Sequence, residues 1–275
     1  MSAAVIGAVA RASLAEARER LEAVLATADL EVLGGELFAV LHLVDREHGL
    51  RRAVSDPSAD PQAKAALVAG LLDGKISAPA LSVVQEVARL RWTRPAELAD
   101  ALETLAVTAE AARAESAGVL DDLEDELFRF SRIVEGEPQL RAALTDPGLP
   151  ADRKQGLLAA LLEDRATPST QRLVAELVVH PRGRSLEGGL AHHSRIVAQR
   201  RERLVALVRS AVDLTERQRS RLAAVLAAAY GHDVHLNIEL DPTVLGGISI
   251  QIGDEVIDGT IAGRLDEVRR RLAGG

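Results

Sequence analysis

The chain has 275 residues, 47% of them apolar and 27% charged, and a formal charge of −8, the balance of a folded protein with room for two or three domains. Its acidity argues against a general nucleic-acid binder, which needs clustered Lys and Arg against phosphate. The absence of cysteine excludes disulfides, thiolate nucleophiles and Cys-ligated zinc, leaving the cytoplasmic side as the default compartment.

With 2% aromatics, a core must be made of Leu, Val and Ala, which favour helix and allow close helix crossings. No apolar run reaches the roughly 18 residues of a membrane span, and no basic residue precedes Ala3 to Ala10, so neither anchor nor signal peptide is expected. Helices are predicted over 8–27 and 32–46. Asp56-Pro57 stops a helix, because the residue before proline avoids the α region. Asp60 then caps a helix over 61–73, with Pro61 at its first position, where the missing N–H costs nothing. In that helix Leu67, Val68, Leu71 and Leu72 share a face expected to be core, matched further on by Leu157, Leu158, Leu161 and Leu162. Helices are next expected over 78–91, 95–116, 119–134, 169–180 and 186–201.

The last seventy or so residues have a different texture. Val205, Leu207 and Val208 open an apolar run ending near Val212, and Thr215 with Gln218 forms a capping box for a helix over 216–230 that Gly231 ends. Val234, Leu236, Ile238 and Leu240 alternate with His235, Asn237 and Glu239, and Ile248, Ile250 and Ile252 alternate with Ser249 and Gln251, the pattern of half-buried strands. Leu265, Val268 and Leu272 mark a closing helix. The tail reads as a strand-helix-strand-strand-helix module.

The helical part repeats itself. Glu36-Leu37-Phe38 recurs as Glu126-Leu127-Phe128, Asp56-Pro57 as Asp146-Pro147, Lys64 as Lys154 and Leu71-Leu72 as Leu161-Leu162, every pair 90 residues apart. Residues 36–73 and 126–163 share 15 identities in 38 ungapped positions, and Val84, Glu86 and Arg94 continue as Val174, Glu176 and Arg184. A shared helical period does not produce paired Asp-Pro turns, so a small helical domain of five or six helices has been duplicated in tandem. The expected organisation is a helical bundle over 1–95, a second over 96–200 and an α/β domain over 201–275.

Leu245-Gly246-Gly247-Ile248, Ile250, Ile252-Gly253-Asp254, Val256-Ile257-Asp258-Gly259-Thr260 and Arg264-Leu265 resemble the C-terminal signature of the ATP synthase delta subunit family, whose mitochondrial members are the oligomycin-sensitivity-conferring proteins. Gly-Gly before a strand, Gly-Asp after it and Asp-Gly-Ser/Thr before the last helix stand in the family's order and spacing. The physical reading of these residues is structural: Gly246 and Gly247 admit positive φ, Gly253 ends the strand and Asp258 can cap the last helix. The chain is about one helical domain longer than the usual member, which the duplication explains, and its first helix lacks the aromatic that often opens the family. The lengthened, Arg- and Ala-rich form resembles the actinobacterial type.

The resemblance implies a mainly α chain with a small α/β C-terminal domain. It also implies the function, a non-catalytic stator subunit in the peripheral stalk of F1Fo ATP synthase, present once per complex at the cytoplasmic face of the cell membrane. The helical domain would bind N-terminal helices of α subunits on the catalytic head, and the C-terminal domain the C-terminal helices of a b-type stalk subunit. Holding the head against rotation couples proton flow to ATP synthesis, with no cofactor, metal, nucleic acid or membrane insertion of its own. The alternative is a free-standing helical adaptor unrelated to ATP synthase.

Chemical motifs give no competing reading. Asp241, Asp254 and Asp258 lack the alternate oxygens and later Glu of a calcium loop, and Gly70 to Ile76 is one residue short of a phosphate loop and lacks its Ser or Thr. His192-His193 and His232 with His235 lack the i, i+4 spacing of a paired-His zinc site and read as surface histidines. Charge patterning says more. Residues 96–126 hold ten acids against Arg113, and residues 195–221 hold eight arginines against Glu202, Asp213 and Glu216. Such runs are either solvated helix faces or docking surfaces, and Arg200, Arg201 and Arg203 are the residues expected to meet acidic stalk helices.

Overall fold

The computed structural model describes residues 7–201, 204–230, 234–241, 244, 247–252 and 255–258. The chain divides into two compact units, Met1–Arg200 and Arg201–Gly275. The first is helical: α1 (Ala8–Leu25), α2 (Leu30–Arg46), α3 (His48–Ser55), α4 (Pro61–Leu72), α5 (Ala78–Arg89), α6 (Pro95–Ser116), α7 (Leu120–Gly136), α8 (Pro138–Thr145), α9 (Ala151–Leu162), α10 (Pro168–Val179) and α11 (Leu186–Arg201). The local signals act as their chemistry requires. Asp60 accepts from the Ala63 amide at 2.8 Å with Pro61 in the first turn, and α3 and α8 end at Ser55 and Thr145, just ahead of the two Asp-Pro pairs.

The 90-residue repeat is structural as well as sequential. It superposes the ranges of α2 on α7, α3 on α8, α4 on α9 and α5 on α10, and it carries individual hydrogen bonds with it. Ser77 donates its amide and hydroxyl to the Glu36 carboxylate at 2.8 and 2.5 Å, and Thr167 donates the same two groups to Glu126 at 2.8 and 2.9 Å. Asp56 accepts from the Ser58 amide and Asp146 from the Gly148 amide, both at 2.8 Å. Gly74, after α4, has φ +70°, and its counterpart Asp164, after α9, has φ +58°.

The same arithmetic places α6 in both copies. Shifting α1 forward by 90 gives 98–115 and shifting α11 back by 90 gives 96–111, and both ranges lie within Pro95–Ser116. The helix is thus the last of the first copy and the first of the second. It packs on α1, α2, α3 and α5 on one side of the repeat and on α7 and α10 on the other, and sixteen of its 22 residues are buried. A helix covered on all sides needs apolar or small residues all round, which Leu98, Leu102, Leu105, Val107 and a series of alanines supply. The expected boundary at 95/96 therefore falls in front of a shared helix. Instead of two separate bundles over 1–95 and 96–200, the copies form one body around a continuous core.

A second difference concerns α4. It turns Ala65, Val68 and Leu72 inward together with the Lys64 stem, leaving Leu67 and Leu71 41% and 38% exposed, so the face read as core is only half covered. The Lys64 ammonium donates to the Leu90 carbonyl at 3.0 Å, which lets a buried lysine replace an apolar contact.

The second unit contains β1 (Leu204–Ser210), α12 (Glu216–Tyr230), β2 (Val234–Leu240), β3 (Ile248–Ile252) and β4 (Glu255–Asp258) in a four-stranded sheet of order β2-β1-β3-β4. β1 and β2 are parallel and joined through α12, while β1/β3 and β3/β4 are antiparallel. Ala206, Val208, Ile250 and Ile252 alternate inward and meet Leu226 of α12 and Val234 in a small separate core. Gln218 accepts from the amide and hydroxyl of Thr215 at 2.9 and 2.7 Å, closing the first turn of α12. β4 was not foreseen as a strand because its neighbouring Val256 and Ile257 are both exposed and do not alternate. Gly231 and the expected closing helix lie outside the described residues.

Candidate docking surfaces

Contiguous apolar surface on a folded chain marks places that a partner covers. In the first copy a small pocket of about 20 Å³ is walled by aliphatic core side chains, among them Val44 of α2, Val54 of α3, Val68 of α4 and Leu102 of α6, with the half-exposed Leu71 also in its wall, and Leu67 lies exposed on the same helix. In the second copy the exposed apolar surface is on α7. Phe38 of α2 is 2% exposed, but its counterpart Phe128 is 64% exposed and Ile133 is 50% exposed. The reason is packing: α2 buries Leu33, Gly34, Leu37, Phe38, Val40, Leu41 and Val44, whereas α7 buries only the counterparts of four of them, Leu123, Leu127, Phe130 and Val134. In the second unit, Leu240 of β2 is 58% and Val256 and Ile257 of β4 are 59% and 40% exposed. Among the described residues both strands are edges of the sheet, where unpaired backbone groups add to apolar side chains as a docking feature.

The surfaces of the helical unit are held in place by buried charge on α6. Glu103 accepts from Arg182, Arg184 and His193. Burial alone would raise its pKa, but the hydrogen bond from His193 and the two guanidiniums hold it at about 2. Arg182 also bonds Asp45 of α2 at 2.7 Å and Asp100 at 3.1 Å, so one guanidinium ties α2 to α6. Glu110, one helical heptad on, is fully buried. It accepts from Arg172 of α10, while its Oε2 has no hydrogen-bond partner. There burial pushes the carboxyl pKa up and outweighs Arg172 and Arg113. Gly34 of α2 makes room for this carboxylate: a Cβ there would stand 2.2 Å from Glu110 Oε1.

These groups were missed as a set because acids within 96–126 read as a charge run. The available signal was that Glu103 and Glu110 lie seven residues apart in a stretch too apolar to have a solvent face. The surface reading of His192 and His193 is corrected for the same reason. His193 is 1% exposed and bonded to Glu103, and His192 is half-buried, its pKa lowered to about 4 by burial, against Glu103 and with Arg184, His193 and Arg195.

The residues singled out from the sequence are placed as follows. Arg200, in the last turn of α11, has its guanidinium on Glu22 of α1 and Glu115 of α6, at 3.0 and 2.6 Å, and is 11% exposed. It therefore joins three helices within its own unit. Arg201 is the last residue of α11, and Arg203 lies outside the described residues. Gly247 has the positive φ expected, +82°, ahead of β3. Asp258 is the last residue of β4, paired with Ser249. Gly246, Gly253, Asp254, Gly259, Thr260, Arg264 and Leu265 lie outside the described residues. No helix among the described residues is long and apolar enough to cross a membrane.

Residues 105–272 match the ATP synthase delta (OSCP) subunit family. Relatives align over nearly the whole chain. The ATP synthase subunit delta of Thermobifida fusca is 52% identical over 97% of this chain and 99% of its own length. That of Streptomyces avermitilis is 50% identical over 96% and 97%, and that of Kineococcus radiotolerans is 46% identical over the full length of both. A chain in the Toxoplasma gondii mitochondrial ATP synthase hexamer is distantly similar, at 16% identity and a TM-score of 0.28 over 61% of this chain and 97% of that one.

Proposed function

This chain belongs to the ATP synthase delta (OSCP) subunit family, and from that premise we propose how its two units serve the peripheral stalk of ATP synthase, of which it is a component. The observation that carries the proposal is the extent of the family match, which begins inside α6 and runs through α11 and the sheet unit. The part of the chain that the family match covers is therefore the second helical copy, with the second half of α6 as its first helix, together with the C-terminal unit. The first copy is an addition that borrows α6.

In this reading the second copy holds the N-terminal helices of α subunits on the catalytic head, with the exposed side of α7 at Phe128 and Ile133 as one contact. The C-terminal unit holds the C-terminal helices of a b-type stalk subunit along its apolar edges at Leu240, Val256 and Ile257. The half-exposed face of α4 at Leu67 and Leu71 takes a further helix of the stalk. Arg201 and Arg203 pair with acidic residues of the stalk helices. One copy of the subunit at the cytoplasmic face of the cell membrane then links head to membrane sector without chemistry of its own. Helix-in-groove contacts at separate sites suit this role, because tethering makes each site rebind before the others release. A free-standing adaptor is not favoured, since full-length relatives at about half identity are all subunits of ATP synthase.

The test is affinity capture from detergent-solubilised membranes with the tagged full-length protein and three surface variants: Leu67→Glu with Leu71→Glu, Phe128→Glu with Ile133→Glu, and Val256→Glu with Ile257→Glu. The second is expected to lose the α subunit and the third the b-type subunit, each with the other partner retained. Loss of α with the first variant alone would transfer the head contact to the first copy.

A further inference from the structure

Three side chains from the two copies converge where the stator reading assigns nothing. His42 is on α2, Glu176 is on α10, and His180 is the residue that caps the C-terminus of α10, one turn after Glu176. His42 Nε2 stands 2.8 Å from Glu176 Oε2, and the two imidazole rings lie 3.7 Å apart between centroids at a tilt of 34°. One ligand atom from each of the three residues lies within 4.8 Å of the others, two of the residues being half-buried and His180 exposed.

We propose that His42, Glu176 and His180 form a site for a divalent transition-metal cation of the zinc class, bridging the first and second helical copies. The donor set is two imidazole nitrogens and one carboxylate oxygen, which suits zinc with a water in the fourth position. Ligands about 2.1 Å from a tetrahedral ion stand roughly 3.4 Å apart, so the observed spacing needs side-chain rotation and no helix movement. The i, i+4 placement of Glu176 and His180 puts both on one face of α10. The surrounding charge is compatible: Asp45, one turn on from His42, pairs with Arg182 and Arg51, and Glu176 pairs with His42. Because α2 and α10 belong to different copies, a bound ion would clip them together and stiffen the helical body.

The experiment uses the chelator-treated full-length protein, with Zn²⁺ titrated calorimetrically and Co²⁺ followed by its visible ligand-field absorption. The wild type is expected to bind one equivalent of each, to show the intense Co²⁺ absorption of a four-coordinate site, and to unfold at higher temperature with Zn²⁺ than with chelator. His42→Ala and His180→Ala should each weaken Zn²⁺ binding at least tenfold and abolish the cobalt absorption. Glu176→Gln, which preserves shape, serves the same purpose if an alanine variant does not fold. His48→Ala, at an exposed histidine, should change nothing. Equal Zn²⁺ affinity in the wild type and the folded His42, Glu176 or His180 variants would overturn the site, as would no saturable binding or thermal shift in the wild type.

Discussion

Gly34 and Gly70 are both helical glycines, but they stand in opposite environments. A methyl at Gly34 meets the Glu110 carboxylate at 2.2 Å, while one at Gly70 meets nothing within 4 Å. Gly34→Ala is therefore expected to destabilise by about 1–3 kcal/mol through overpacking. Gly70→Ala is expected to stabilise by about 0.5–1 kcal/mol through helix propensity and a less flexible unfolded chain. Denaturant melts of the two variants check both signs. The pH dependence also resides in single residues. Glu103 has its pKa lowered from 4.5 to about 2 in the folded state, so its contribution is present above pH about 4.5 and lost as pH falls toward about 2. His192, lowered from 6.5 to about 4, likewise withdraws stability as pH falls through that interval, because only the unfolded chain takes up its proton there. Glu110, with its pKa raised, opposes them, its folded form protonating before the unfolded one as pH falls. Stability measured from pH 7 to pH 2 is expected to fall in two overlapping steps. Glu103→Gln should remove the lower step and cost about 3 kcal/mol at pH 7, since it leaves Arg182 and Arg184 without their buried anion.

Among the elements, α5 and α10 begin with the same device. A hydroxyl residue caps the helix, and a carboxylate 41 positions earlier receives both its amide and its hydroxyl. The long-range carboxylate fixes where the helix starts relative to α2 or α7, which a local cap alone does not do. Ser77→Ala and Thr167→Ala are each expected to lose about 1 kcal/mol from the cap. Glu36→Ala and Glu126→Ala should cost at least as much, because two donors lose their partner. Hydrogen exchange at the first turns of α5 and α10 is the direct measurement. Loss of protection confined to the altered copy would indicate that each device acts locally, whereas loss in both copies would show that they open together.

For the whole molecule the controlling feature is α6. A helix shared by two copies cannot be removed with either, so a cut at 95/96 strips the first copy of its most buried element. A fragment of residues 1–95 is expected to lack a cooperative melt, and one of residues 1–117 to regain it. A chain starting at residue 96 should keep its helices but unfold at lower temperature, with the face of α6 that α2 covered open to solvent. Circular dichroism melts of the three fragments test this. The shared helix also explains how two copies act as one stiff body, as a stalk element requires: strain on either copy is borne by α6 and by the ion pairs of Glu103, Glu110 and Arg200.

Local chemistry alone determined most of the elements. Asp-Pro stops, Asp60 and Thr215 starts, and the alternation at 248–252 depend on neighbours within a few residues, so nine of the twelve described helices and three of the four described strands were legible, as were the duplication and the family resemblance. β4 was not, because an edge strand with both apolar residues exposed has no period to read. Folding in three dimensions decided what depends on distant partners. It put Glu103 and Glu110 of the charged run inside the protein, because arginines 62 to 81 residues away neutralise their carboxylates. It turned His193 inward and left Phe128 outward although its twin Phe38 is buried. It also merged two copies into one body, since a 90-residue repeat records that a domain was duplicated but not that both copies close on the same helix.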